Sequence, residues 1–324
     1  TSTDTFNVAI GYNAGAAVTT GVQNNLIGGL AGDALTVGTK NNAFGYRALS
    51  DDTKGSKSVA IGNFTLATQN FTTATDALNT AVGHAAGEAV TTGIQNTFIG
   101  AHSGDAVTDA DFNVAVGTYS LTDNTLGSFS VAVGWGALFA QNPATATNMY
   151  NTAVGHGAGS AVTTGTQNTY IGGLAGDAAT ASVENVAVGY QALSADTLGN
   201  KSVAVGRMAL LSQNLTTATD VYNVAVGHNA GQQVTTGTQN TLIGGISGDA
   251  LTDADKNVGV GYGTLTSDTL GSKSTAIGDS ALSSQNFTTA TDTFNTAVGF
   301  EAGARVTTGT LNTLIGGQAG DHLT

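Results

Sequence analysis

Three histidines, His84, His156 and His228, stand 72 residues apart in matching surroundings. A neutral imidazole is a zinc ligand, but groups so distant in one chain would share an ion only if three copies brought equivalent rings around an axis. The same slot holds Tyr12 and Phe300 elsewhere, which suits a packing position. Four large aromatic residues, Tyr46, Trp135, Tyr190 and Tyr262, occupy the corresponding place in other segments. Each offers a flat apolar face with a polar edge, the chemistry that stacks on a sugar, although rim packing is the plainer role. Asp33, Asp105, Asp177, Asp249 and Asp321 each follow an Ala/Ser-Gly pair. Without a second carboxylate at fixed spacing they read as turn formers rather than calcium ligands. Asp109 and Asp111, like Asp253 and Asp255, are paired, but the equivalent loops at Ala34–Lys40 and Ala178–Glu184 carry no such pair. Thr73–Thr75 and its three counterparts suggest an ice-binding array, yet they recur too sparsely to tile a face. No Ser/His/Asp set, phosphate loop or paired-carboxylate site stands out. The expectation is a non-enzymatic protein without cofactors.

What positions these residues is a repeat. A string of Asn/Ser, Val/Thr/Asn, a variable residue, Ile/Val/Phe and Gly recurs eighteen times, its glycines running from Gly11 to Gly316. The intervals cycle through 17, 17, 17 and 21 residues, so four coils make a 72-residue super-repeat. Counting the glycine as position zero, first- and second-type coils carry Gly at +4 and usually Val or Leu at +7, as at Val90, Val162, Val234, Leu35 and Leu251. Third- and fourth-type coils carry Leu at +4 instead, as at Leu49, Leu121, Leu193 and Leu265. The long, fourth-type coils hold the extra residues around Gln69–Asp76, Gln141–Thr147, Gln213–Asp220 and Gln285–Asp292. Glycine in every coil, β-branched neighbours and no 3.6-residue stripe oppose helix. The reading is all-β: a parallel β-solenoid of about eighteen coils, one repeat domain over 1–324.

Position −1 is Ile, Val or Phe in every coil, which predicts that it points into the core. Position −2 lies on the other face of the strand and is never charged, which predicts burial against a partner. Stacked Asn side chains at −4 predict a polar ladder, replaced by Ser in the four long coils. The long loops should protrude once per super-repeat, and the only proline, Pro143, sits in one of them.

Composition narrows the class. The chain is 40% hydrophobic and 10% charged, with 46 Gly and 1 Pro, which fits neither disorder nor collagen. A net charge of −13 opposes nucleic-acid binding. No run of eighteen apolar residues is present, so no membrane insertion by this segment is expected. The pattern is already running at both ends, which predicts a fragment of a longer fibre.

Ser58-Val-Ala-Ile-Gly62 and Ser130-Val-Ala-Val-Gly134 resemble the head repeats of YadA-type trimeric autotransporter adhesins. Strings such as Val162–Gly173 are similar to segments of phage tail fibres. The resemblance covers essentially the whole chain, with longer coils here than in the adhesin heads. It implies a left-handed β-roll that forms an intertwined or side-by-side homotrimer. It also implies an extracellular setting, on a cell surface or a virion. The expected function is therefore a structural shaft or adhesin segment of a fibre, with copies of itself as partner. The alternative is a module that binds cell-surface glycan or receptor through repeated protruding loops.

Overall fold

The structure, a computed structural model, describes residues 4–324. It divides into two compact units, one ending at Thr164 and the other starting at Gly165, each carrying nine repeat strands. In the first unit these run from Val8–Ile10 to Thr152–Val154, in the second from Thr169–Ile171 to Thr313–Ile315. Within each unit, each strand is three residues long and pairs in parallel, residue for residue, with the strand of the next coil, as Asn25, Leu26 and Ile27 do with Asn42, Ala43 and Phe44. The register survives the longer interval, where Val59 faces Thr80. No helix occurs among the described residues. The chain is a parallel β-solenoid.

The repeat glycine ends each strand at φ between 125° and 146°. A Cβ on Gly28 would also lie 2.3 Å from the carbonyl oxygen of Gly45 in the next coil. Both the conformation and the close approach exclude a side chain there. Beyond the glycine, left-handed residues at +2 and +4 bend the chain tightly; Tyr119 has φ 58° and Leu121 φ 56°. Inter-coil bonds such as Leu121 N–H to the Ala137 carbonyl (3.0 Å) hold these bends in place.

The strand faces are the reverse of the sequence expectation. Position −2 fills the interior: Leu26, Ala43, Ala60, Phe98, Ala115 and Tyr170 are all buried. Position −1 points outward, and Ile61 and Ile99 remain 41% and 40% exposed. The reason is room. A coil this short cannot enclose a β-branched side chain at every level, so the inward slot is mostly Ala and the bulky residues lie outside. In second-, third- and fourth-type coils interior volume is conserved by pairing −2 with +4, while first-type coils are small at both positions and neighbouring side chains such as Leu66 and Phe98 reach in beside Gly87. Second-type coils put Leu, Phe or Tyr at −2 opposite Gly at +4; third- and fourth-type coils put Ala or Gly at −2 opposite Leu at +4. A Cβ on Gly104 would come within 2.4 Å of the Phe98 ring, and one on Gly176 within 2.4 Å of Tyr170. The Phe98 ring reaches into the preceding coil too, 2.8 Å from where a Cβ on Gly87 would be. Leu49, Leu121, Leu193 and Leu265 at +4, and Val90, Val162, Val234, Leu35 and Leu251 at +7, are buried as expected.

The Asn seam at −4 is present, and its bonding is mixed. The Asn41 Nδ2 donates to the Gly55 carbonyl of its own coil (2.9 Å), closing the ring. Its Oδ1 accepts the backbone N–H of Ser58 one coil on (2.9 Å). Serine is too short to close its coil, and Gln at +7 substitutes for it. Gln69 Nε2 donates to Ser58 Oγ (3.1 Å) and to Asp52 Oδ2 (2.7 Å), while its Oε1 accepts from Asn79 Nδ2 (2.9 Å). Each third-to-fourth-type step therefore buries a small polar layer: Asp52 with Gln69, Asn124 with Gln141, Asp196 with Gln213, and Asp268 with Gln285.

The long loops protrude less than expected. Gln69 and Phe71 turn inward, as do Gln213 with Leu215 and Gln285 with Phe287. Pro143 is likewise buried. Thr75–Asp76 forms a two-residue parallel strand against Gly55–Ser56 of the preceding coil, which leaves Thr72–Ala74 as the exposed tip. The extra residues thus build a second, local sheet at every fourth coil.

Candidate functional site

Two surfaces stand out. The first is the outer face of the repeat sheet in each unit. Its −1 column is Ile, Val or Phe throughout, and its −3 column is Val, Thr or Asn. Neither column contains a charge, and Phe44, Ile61, Ile99, Ile171, Ile243 and Ile277 are exposed. Because pairing is in register, the columns run straight over nine strands per unit. A continuous uncharged strip with an unbroken apolar −1 column is unusual on the sheet of a solitary soluble domain.

The second surface is a column of rings along one edge of the first unit, at positions +1 and +2. Tyr46, Phe64, His84, His102, Tyr119, Trp135 and His156 come from seven consecutive coils. Successive centroids are 5.5, 6.1, 5.3, 5.5, 6.4 and 4.9 Å apart. Beside Trp135 lies a shallow groove of about 310 Å³ lined by Gly136, Phe139, Ser160 and Ala161.

The aromatic candidates therefore divide. Tyr46 and Trp135 belong to the column. Tyr190 and Tyr262 stand alone at 49% and 60% exposure, each lying over the glycine that precedes it at +1, Gly173 or Gly245. His84 and His156 join the column, and His228 instead meets the Arg207 guanidinium at 3.3 Å. No group of three or more metal-binding side chains assembles among the described residues. His102, Phe64 and Tyr119 were missed because they sit one position later, at +2. The signal was legible, since each falls between two coils with a ring at +1 or +2.

Several carboxylates are engaged by neighbouring coils. Asp109 accepts from the Thr91 and Thr92 hydroxyls, which hold its carboxyl below the usual range. Asp111 accepts the Ile94 N–H, Asp255 the Thr238 N–H, and Asp249 the Thr266 hydroxyl. Asp105 meets His102 Nδ1 at 3.0 Å, and burial raises its pKa. At the long coils, Lys57–Asp76, Lys201–Asp220 and Lys273–Asp292 ion pairs tie the local sheet to the coil before it. In the second super-repeat Phe129 and Asn148 replace such a pair, and Phe129 stacks between Phe112 and Tyr150 at 4.8 and 5.4 Å.

Fold and surfaces together define a β-solenoid repeat protein with an uncharged apolar sheet face and, in one unit, an aromatic edge. Comparison with known protein families finds no match, and none of the curated proteins matches the chain either.

Proposed function

We propose that the chain is a structural segment of an extracellular fibre and associates with copies of itself through the outer sheet face. The observation that supports this is the uncharged −1/−3 strip, continuous over nine strands in each unit and open to solvent. Burying such a strip against an equivalent strip gains about 25 cal/mol per Å² of apolar surface removed from water. A repeated flat face suits a symmetric oligomer, in which each copy presents the same columns. The resemblance to trimeric adhesin heads and tail-fibre segments favours three copies. The role is then mechanical: the stacked coils hold whatever they are joined to at a fixed distance.

Light scattering on the purified chain tests this reading directly. The expected mass is a multiple of the 32.0 kDa chain, and an Ile61→Glu/Ile99→Glu double variant should shift toward monomer without losing its β spectrum. A wild-type chain that stays monomeric at every accessible concentration would overturn the proposal.

A further inference from the structure

The ring column supplies what the sheet face does not, a surface mixing π-faces with hydrogen-bonding edges. Of its seven rings only Phe64 lacks a heteroatom; the others are two phenols, one indole and three imidazoles. The fold does not require them. In the second unit the same +1 and +2 positions carry rings only in alternate coils, at Tyr190, His228, Tyr262 and Phe300. The intervening coils hold Gly173/Leu174, Arg207/Met208, Gly245/Ile246, Asp279/Ser280 and Gly317/Gln318. The backbone there has the same left-handed +2 residue, with φ 56° at both Leu174 and Met208. Seven consecutive rings are therefore an addition to the scaffold.

From this geometry we infer that the aromatic edge between Tyr46 and His156 binds a linear, neutral glycan laid along the coil axis. A pyranose presents a face of C–H groups that packs on an aromatic ring, and hydroxyls at its rim that pair with phenol, indole and imidazole groups. Protein interfaces use Tyr and Trp as well; what favours a sugar is the open floor and the small groove at Trp135. Rings at right angles cannot both lie across the coil axis. The pairs Tyr46–Phe64 (85°) and Tyr119–Trp135 (86°) therefore each turn one face away from the stack. The floor beside Trp135 is open, since a Cβ on Gly136 would meet nothing within 4 Å, and the 310 Å³ groove there gives one sugar unit a seat. The column advances one ring per coil, about 4.8 Å, a step that suits a polymer of sugar units. Charge selects against acidic glycans: residues 1–164 contain ten Asp and Glu against four Lys and Arg, an excess of six negative charges.

Trp135 is the only tryptophan, so its fluorescence reports the site in the full chain. Titration with neutral oligosaccharides of five or more units (β-1,4-glucan, mannan and chitin fragments) should give a saturable change with at least one of them. Heparin should give none. His102→Leu and Tyr119→Gln place at these sites the residues that the second unit carries at Leu174 and Gln191. Each should weaken binding at least tenfold, with the β spectrum and light-scattering mass unchanged. No saturable signal with any neutral oligosaccharide, a response to heparin alone, or variants that bind like the wild type would each overturn the inference. The mass measurement keeps this outcome separate from the fate of the association face.

Discussion

Exchanging one coil's core recipe for another's tests how the interior is filled. Phe98→Ala removes a buried ring that serves two coils, so it should cost about 3–5 kcal/mol. Gly104→Leu alone should cost on the order of 1–3 kcal/mol, because even its Cβ would lie 2.4 Å from the Phe98 ring. Together the two changes recreate the Ala115/Leu121 arrangement of the next coil, in which Leu121 accepts φ 56° against φ 57° at Gly104. The double variant should recover most of the loss, leaving a deficit of roughly 1–2 kcal/mol for the void beside Gly87. The coupling energy is then at least about 2 kcal/mol, well outside the scatter expected for independent sites. Guanidinium unfolding followed by circular dichroism gives the midpoints. Because repeat arrays unfold locally, hydrogen exchange at the Gly104 amide, bonded to the Ser120 carbonyl at 2.9 Å, reports the coil itself. Additive losses in the double variant would refute the paired-volume account.

Other substitutions test the remaining supports. Burial raises the pKa of Asp196 despite its Gln213 bond, so the folded state holds that proton more tightly than the unfolded chain does. Wild-type stability should rise as pH falls through the folded pKa toward the ordinary carboxylate value, and Asp196→Asn should remove that part of the slope; urea midpoints across pH 3–7 check this. Burial pushes the Tyr170 phenol up to about 12, so ionisation favours the unfolded chain, and stability should fall as pH rises above 10. Tyr170→Phe should remove that part of the alkaline slope in thermal melts. Gly45→Ala forces a Cβ to 2.3 Å from the Gly62 carbonyl oxygen at φ 146°; it should cost about 2–4 kcal/mol or abolish soluble expression.

The repeat was legible because glycine at fixed spacing has a strict backbone cause. The +4/+7 core could be read because Leu and Gly alternate by coil type. The strand faces were misread through bulk: Ile and Val at −1 look like core, and Ala at −2 looks dispensable. The clue was in the covariation, since Leu26, Phe98, Tyr170 and Leu242 at −2 each accompany Gly at +4. Serine at −4 with Gln at +7 was an equally regular pair, Ser58 with Gln69 and Ser202 with Gln213, but a hydrogen bond across the coil cannot be inferred before the coil is closed. The ring column was half visible. Positions +1 and +2 differ in sequence, yet both project along one edge, because the left-handed +2 residue turns the chain sharply there.

The buried polar layers bear on why four coil types alternate at all. A solenoid of identical coils could slip by one coil at almost no cost, since every strand would find an equivalent neighbour. Here a slip of one coil would set Gln69 against the apolar +7 slot of a first-type coil, where Val90 sits, and leave Asp52 without its amide donor. An unpaired buried amide or carboxylate costs more than the pair contributes when satisfied, so the layer penalises wrong registers more than it stabilises the right one. The second super-repeat shows how tightly the layer is matched. The Leu215 and Phe287 N–H groups donate to Asp196 and Asp268 at 3.4 and 3.1 Å, but Pro143 at the same place has no N–H. Its acceptor is correspondingly neutral, Asn124, whose Nδ2 donates to the Gly127 carbonyl at 2.7 Å. Donor and charge were lost together, which is what is expected if each layer must be satisfied as a whole.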